Sequence, residues 1–157
     1  MATTYEPIAT TTLGSAASTI TFSTISGSYT DLVVIFRGIE TTNDFNLLRF
    51  NGDTGSNYSH TEIYGDGSSA QSGRGSNRTT MYFGRGQTTP NSKILHILNY
   101  SNTTTYKTTL SRNNSDSVGA FVNLWRSTSA ITSIEFSRGG GNYDVGTTVT
   151  LYGIKAA

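Results

Sequence analysis

The chain has 157 residues, a formal net charge of +1 and 13% charged side chains, well below the roughly 25% of an average globular protein. In place of charge it carries 27 Thr, 20 Ser, 12 Asn and 17 Gly. With no Cys it has no disulfide framework, thiolate metal site or Cys nucleophile, and no run approaches the roughly eighteen apolar residues of a membrane-spanning helix.

Helical periodicity is missing, and short alternating runs bounded by Gly, Asn, Asp and Ser take its place, which is the pattern of strands. Residues 8–13 form a weak, Thr-rich strand. Residues 18–25 alternate, with Ile20 and Phe22 on one face. Residues 31–39 are almost continuously apolar through Leu32, Val33, Val34, Ile35 and Phe36, so this strand is expected to be central and covered on both faces. Residues 45–50 run into the turn Asn51-Gly52-Asp53, and residues 58–64 into Gly65-Asp66-Gly67. Residues 65–78 contain no large apolar side chain and read as a long loop, either functional or mobile.

Strand character resumes at 79–83. Residues 93–100 carry Ile94, Leu95, Ile97 and Leu98 around His96, and residues 106–110 follow across the polar turn 102–105. Residues 120–126, 133–137 and 147–154 close the series. This spacing predicts one all-β domain over 1–157, an antiparallel two-layer β-sandwich of jelly-roll-like form. Strand 147–154 reads as interior, with 8–13 or 18–25 beside it, which brings the chain ends together. Alternation predicts a core of Ile20, Phe22, Leu32, Val34, Phe36, Leu48, Phe50, Ile94, Leu98, Phe121, Trp125, Ile134, Phe136, Val149 and Leu151.

Candidate chemistry is sparse. His60 and His96 are the only imidazoles, no Gly-x-Ser-x-Gly elbow occurs, and Asp31, Asp53, Asp66, Asp116 and Asp144 all stand in turn contexts. No nucleophile-base pair, carboxylate pair or phosphate loop emerges, so no catalytic residue is expected. A calcium site from Asn51, Asp53 and Asn57 competes poorly with turn geometry, and neither metal nor cofactor is expected. Eight Arg and three Lys are scattered without a basic stripe, which argues against a nucleic-acid partner; a membrane partner is not expected either. Residues 1–15 show no secretory signal pattern. The remaining binding candidates are Tyr58, Tyr64 and Tyr143 at loop edges, with Arg74, Arg78 and Arg85 in and after the long loop.

One resemblance spans most of the chain. Leu124-Trp125-Arg126-Ser127, the segment 130–136, Gly141-Asn142-Tyr143-Asp144 and Thr150-Leu151-Tyr152-Gly153-Ile154 form an ordered series. Earlier in the chain stand Tyr5-Glu6-Pro7-Ile8-Ala9, Leu13-Gly14-Ser15, Ser28-Tyr29-Thr30-Asp31-Leu32, and Phe50-Asn51-Gly52-Asp53 before Asn57-Tyr58. The set resembles small all-β virion structural proteins of tailed bacteriophages, of the cyanophage type. That resemblance implies a location in the virion, other capsid or tail proteins as partners, and a homo-oligomer, typically a trimer. Its leading role is a capsid decoration or cement protein; the alternative is a tail or fibre-tip protein binding host-surface glycans.

Overall fold

The computed structural model describes residues 4–115 and 117–155, and these form two antiparallel β-sheets packed as a sandwich, without helix among them. The strands are β1 (Tyr5–Thr12), β2 (Thr19–Phe22), β3 (Asp31–Gly38), β4 (Phe45–Phe50), β5 (Tyr58–Gly65) and β6 (Ala70–Arg78). They continue as β7 (Met81–Arg85), β8 (Asn91–Leu98), β9 (Lys107–Asn114), β10 (Val118–Trp125), β11 (Ile134–Arg138) and β12 (Thr148–Ile154). The large sheet has eight strands in the order β1-β12-β3-β8-β9-β10-β5-β6, and the small sheet four, β2-β11-β4-β7. As expected, β12 is interior: it lies between β3 and β1, which join the two ends of the chain.

The core lies between the sheets. Alternation sends Ile20 and Phe22 of β2, Leu32, Val34 and Phe36 of β3, Leu48 and Phe50 of β4, Trp125 of β10, Ile134 and Phe136 of β11, and Val149 and Leu151 of β12 inward. Phe83 joins Phe36 and Phe136 edge-on, at centroid distances of 6.0 and 5.2 Å. Phe121 is buried as well.

Three expectations need correction. Ile94 and Leu98 do not face the core: Leu98 is 47% exposed and Ile94 only half-buried, while Lys93, Leu95 and Ile97 point inward. Strand β8 is apolar in both phases, and its inward phase begins with the polar Asn91 and the charged Lys93, so hydrophobicity alone selects the wrong face. The outer face of β3 has no second layer; Val33 is buried there by its neighbours, but Ile35 is 38% exposed. Residues 70–78 are not a loop but strand β6, paired with β5 from Gly65↔Ala70 to Tyr58↔Arg78 with one register shift. The loop is reduced to the tip 66–69, where Asp66 accepts bonds from the Ser68 and Ser69 amides.

Candidate functional site: the outer face of the large sheet

The outward phase of the central strands puts apolar side chains in rows where a soluble sheet normally carries polar ones. One row crosses five strands as Val33, His96, Leu110, Val122 and Thr61, ending on Arg74 of β6. The next runs Ile35, Ile94, Arg112, Ala120, Ile63 and Ser72. Leu110, Val122 and Ile63 are 40%, 51% and 62% exposed. Beside them opens a groove of about 600 Å³, floored by Val122 and Leu124 and bordered by the hydroxyls of Ser59, Thr61, Ser76 and Thr108 with Arg74.

Charge on this face is mainly positive. From β3 to β6 its outward positions carry Arg37, Arg112 and Arg74, and the single outward carboxylate among the described residues is Asp31 at the end of β3. Asp31 is engaged there by the Asn99 amide at 2.5 Å. The face therefore combines an apolar centre with exposed guanidinium groups.

The structure scatters the six sequence candidates. Tyr58 and Tyr143 are fully buried and offer no surface to a ligand. Tyr58 stacks on Trp125 at 6.3 Å, and its hydroxyl donates to the carbonyls of Phe50 and Asp53; burial pushes it up to about 12. Tyr143 donates to the Ser137 carbonyl, and burial raises its pKa too. Their loop-edge positions hid this, because long-range packing covers both. Tyr64 is half-buried and donates to Gln71 at 2.9 Å. Arg74 alone of the six borders the groove.

Arg85 ends β7, the edge strand of the small sheet, and Arg78 reaches that strand from the end of β6. Arg78 donates to the Tyr82 hydroxyl at 2.6 Å, Tyr82 stacks on Phe45 at 4.3 Å, and Arg85 lies 4.8 Å from the Phe45 ring. Tyr82 also meets the His60 ring at 4.5 Å, which ties this stack to β5.

Beneath it lie buried polar groups, among them one of the two imidazoles. His60 and Glu62 point inward from β5, 7% and 9% exposed. Burial lowers the pKa of His60, with Arg78 adding to the effect, and raises that of Glu62 against the pull of Arg85. Glu62 Oε2, His60 Nδ1, Ser111 Oγ and Asn113 Oδ1 have no hydrogen-bond partner among the described residues. The sequence does hold a signal for this arrangement, namely Gly73 and Gly75 alternating in β6. A Cβ at either position would come within 2.6 Å of Glu62 or His60, which lean over the bare backbone.

A second buried polar cluster sits at the start of β8. Lys93 Nζ donates to Glu40 Oε1 at 2.7 Å and to Asn91 Oδ1, and Asn91 Nδ2 donates to Glu40 Oε2 at 2.6 Å. Asn46 Nδ2 and the Gln87 amide also donate to Glu40, and Arg138 donates to Asn46 at 3.0 Å. Burial opposes ionisation of Glu40, but Lys93 and these donors outweigh it and hold the carboxyl below its usual range. Burial pulls Lys93 down to about 8, so the pair is ionised at pH 7.

Of the expected turn acids, Asp53 spends its carboxylate on Trp125 Nε1, Asn57 Nδ2 and the Gly55 amide, so both of its oxygens are already engaged. Asp116 lies outside the described residues. No protein-family model and no curated protein matches the chain. Solved structures similar to it include a mutant of the alginate lyase Aly36B in complex with alginate tetrasaccharide. That likeness has 9% identity and a TM-score of 0.36, spans 94% of this chain and 80% of that one, and is too loose to carry an argument.

Proposed function

We propose that the protein is a non-catalytic structural component of a bacteriophage particle, a capsid decoration protein, attached through the outer face of its eight-stranded sheet. The observation that carries the attachment is that face itself: exposed Leu110, Val122 and Ile63 between Arg112 and Arg74, with no carboxylate inside the patch. Six strands of about seven residues offer on the order of 700 Å², close to the roughly 800 Å² each partner gives a standard interface. The complementary surface is an apolar patch of a neighbouring virion protein with carboxylates at its rim. A second copy meeting the face by twofold symmetry would bring guanidinium groups together, so trimer contacts are assigned elsewhere on the molecule. The phage assignment itself is supported by the resemblance of the strand-and-turn series.

Cryo-electron microscopy of the parent particle tests this reading. Hundreds of copies with β8, β9 and β10 facing the shell are expected, and Leu110→Glu with Val122→Glu should abolish attachment while the variant still folds. Absence from purified particles would overturn it. A hydroxyl-lined groove with Arg74 favours a second reading, a fibre tip binding host glycans. A few dozen copies at most, together with a glycan-array signal lost in Arg74→Ala, would select it.

A further inference from the structure

The cluster around Lys93 brings a nucleophile, an electrophile and a proton carrier into mutual contact. A primary amine, a carboxamide and a carboxyl group are 2%, 4% and 0% exposed, and each is hydrogen-bonded to the other two. Asn91 and Lys93 are alternate residues of β8 and share its inner face. Their backbones are about 6.6 Å apart, within reach of the Lys side chain joined to the Asn carbonyl carbon. Nζ already contacts Oδ1, and the electrophilic carbon is the next atom. Phe36 lies against the amine at 4.6 Å.

We propose that Lys93 and Asn91 become joined by an intramolecular isopeptide bond, with Glu40 as the catalytic residue that carries the protons. The carboxylate contacts both groups whose protons must move, the attacking amine through Oε1 and the departing nitrogen through Oε2. Glu40 first takes one proton from the Lys93 ammonium, leaving a neutral amine and a carboxylic acid. Nζ then attacks Cγ of Asn91 and forms the new C–N bond. As the Cγ–Nδ2 bond breaks, Glu40 gives its proton to Nδ2 and takes a second from Nζ, and ammonia leaves.

Of the three ammonium protons, one stays on the amide, one departs in ammonia and one remains on Glu40. No oxidant or external reactant is needed. The buried ammonium and carboxylate disappear together, which removes the desolvation cost of holding two charges in the interior. The lowered pKa of Lys93 acts in the same direction, since it raises the fraction of neutral amine available for attack.

Intact mass spectrometry of the purified full chain tests this. The expected mass is one ammonia, about 17 Da, below that of the sequence. Trypsin should not cut after Lys93, and the spanning peptide should give no backbone fragments between residues 91 and 93. Lys93→Arg and Glu40→Gln should both restore the full mass, with Trp125 fluorescence reporting that each variant folds. Ammonia loss that persists in Lys93→Arg and is followed in mild base by uptake of one water identifies a succinimide at Asn91, hydrolysed to Asp or isoaspartate, and overturns the proposal, as does an unshifted mass in the folded wild-type protein. Should either variant fail to fold, the mass and fragment pattern of the wild-type chain still decide.

Discussion

Asp53 ties the turn after β4 to the single tryptophan, and removing its carboxylate should cost more than an exposed turn residue normally does. Trp125 is 2% exposed, and its indole N–H donates to Asp53 Oδ2 at 2.7 Å. Asp53→Ala strands that donor in the interior, at a cost of about 1–3 kcal/mol. Water replaces the acceptor for the Gly55 amide and the Asn57 side chain, which lie at the surface end of the network, so these add little. The expected loss is about 2 kcal/mol, or roughly 4–8 °C in Tm for a domain of this size. Asp53→Asn keeps an acceptor oxygen and should recover at least half of it.

Burial works to raise the pKa of Asp53, but hydrogen bonds from Trp125, Asn57 and Gly55 outweigh it, so the net shift is below the ordinary 3.8. The contribution is therefore complete above pH 3.8 and fades as pH falls through the lowered value. Urea unfolding followed by fluorescence of Trp125, the sole tryptophan, measures all three proteins. A wild-type-like midpoint for Asp53→Ala would refute the reasoning.

Glu62→Gln is expected to raise Tm at pH 7. The raised pKa of Glu62 means that folding disfavours its charge, so the advantage grows as pH rises through the folded value and vanishes below the ordinary 4.5; melting curves across pH 4–8 check it. Gly153→Ala should destabilise by about 1–3 kcal/mol, because the added Cβ would lie 2.3 Å from the Tyr29 ring, and urea unfolding reads the loss.

Where one phase of a strand is apolar and the other polar, alternation suffices to place its faces. Ile20 and Phe22 between threonines, or Val149 and Leu151, are read correctly without tertiary information. Strand β8 defeats the same rule, because its inward face includes a lysine neutralised by Glu40, a residue distant in sequence. Strand β6 defeats it differently: Gly73 and Gly75 are bare so that His60 and Glu62 can lie over them, and nothing apolar marks the strand. Tyr58 and Tyr143 look accessible beside their turns, yet Trp125 covers one and Phe36 the other. The outer face is not legible in the sequence because its members come from separate strands, and only the register reveals them as one surface.

The placement of β12 governs how this chain can fold during synthesis. Strand β1 leaves the ribosome first but pairs with β12, the last of the twelve to emerge, and β3 also waits for it on that side. Until then β1 has no neighbour in its sheet, and one flank of β3 is a bare edge open to intermolecular pairing. Completion of the large sheet is thus deferred until translation has passed Ile154. A ribosome stalled before Thr148 would hold a nascent chain sensitive to protease at β1, whereas the hairpin of β8 and β9 could already be protected.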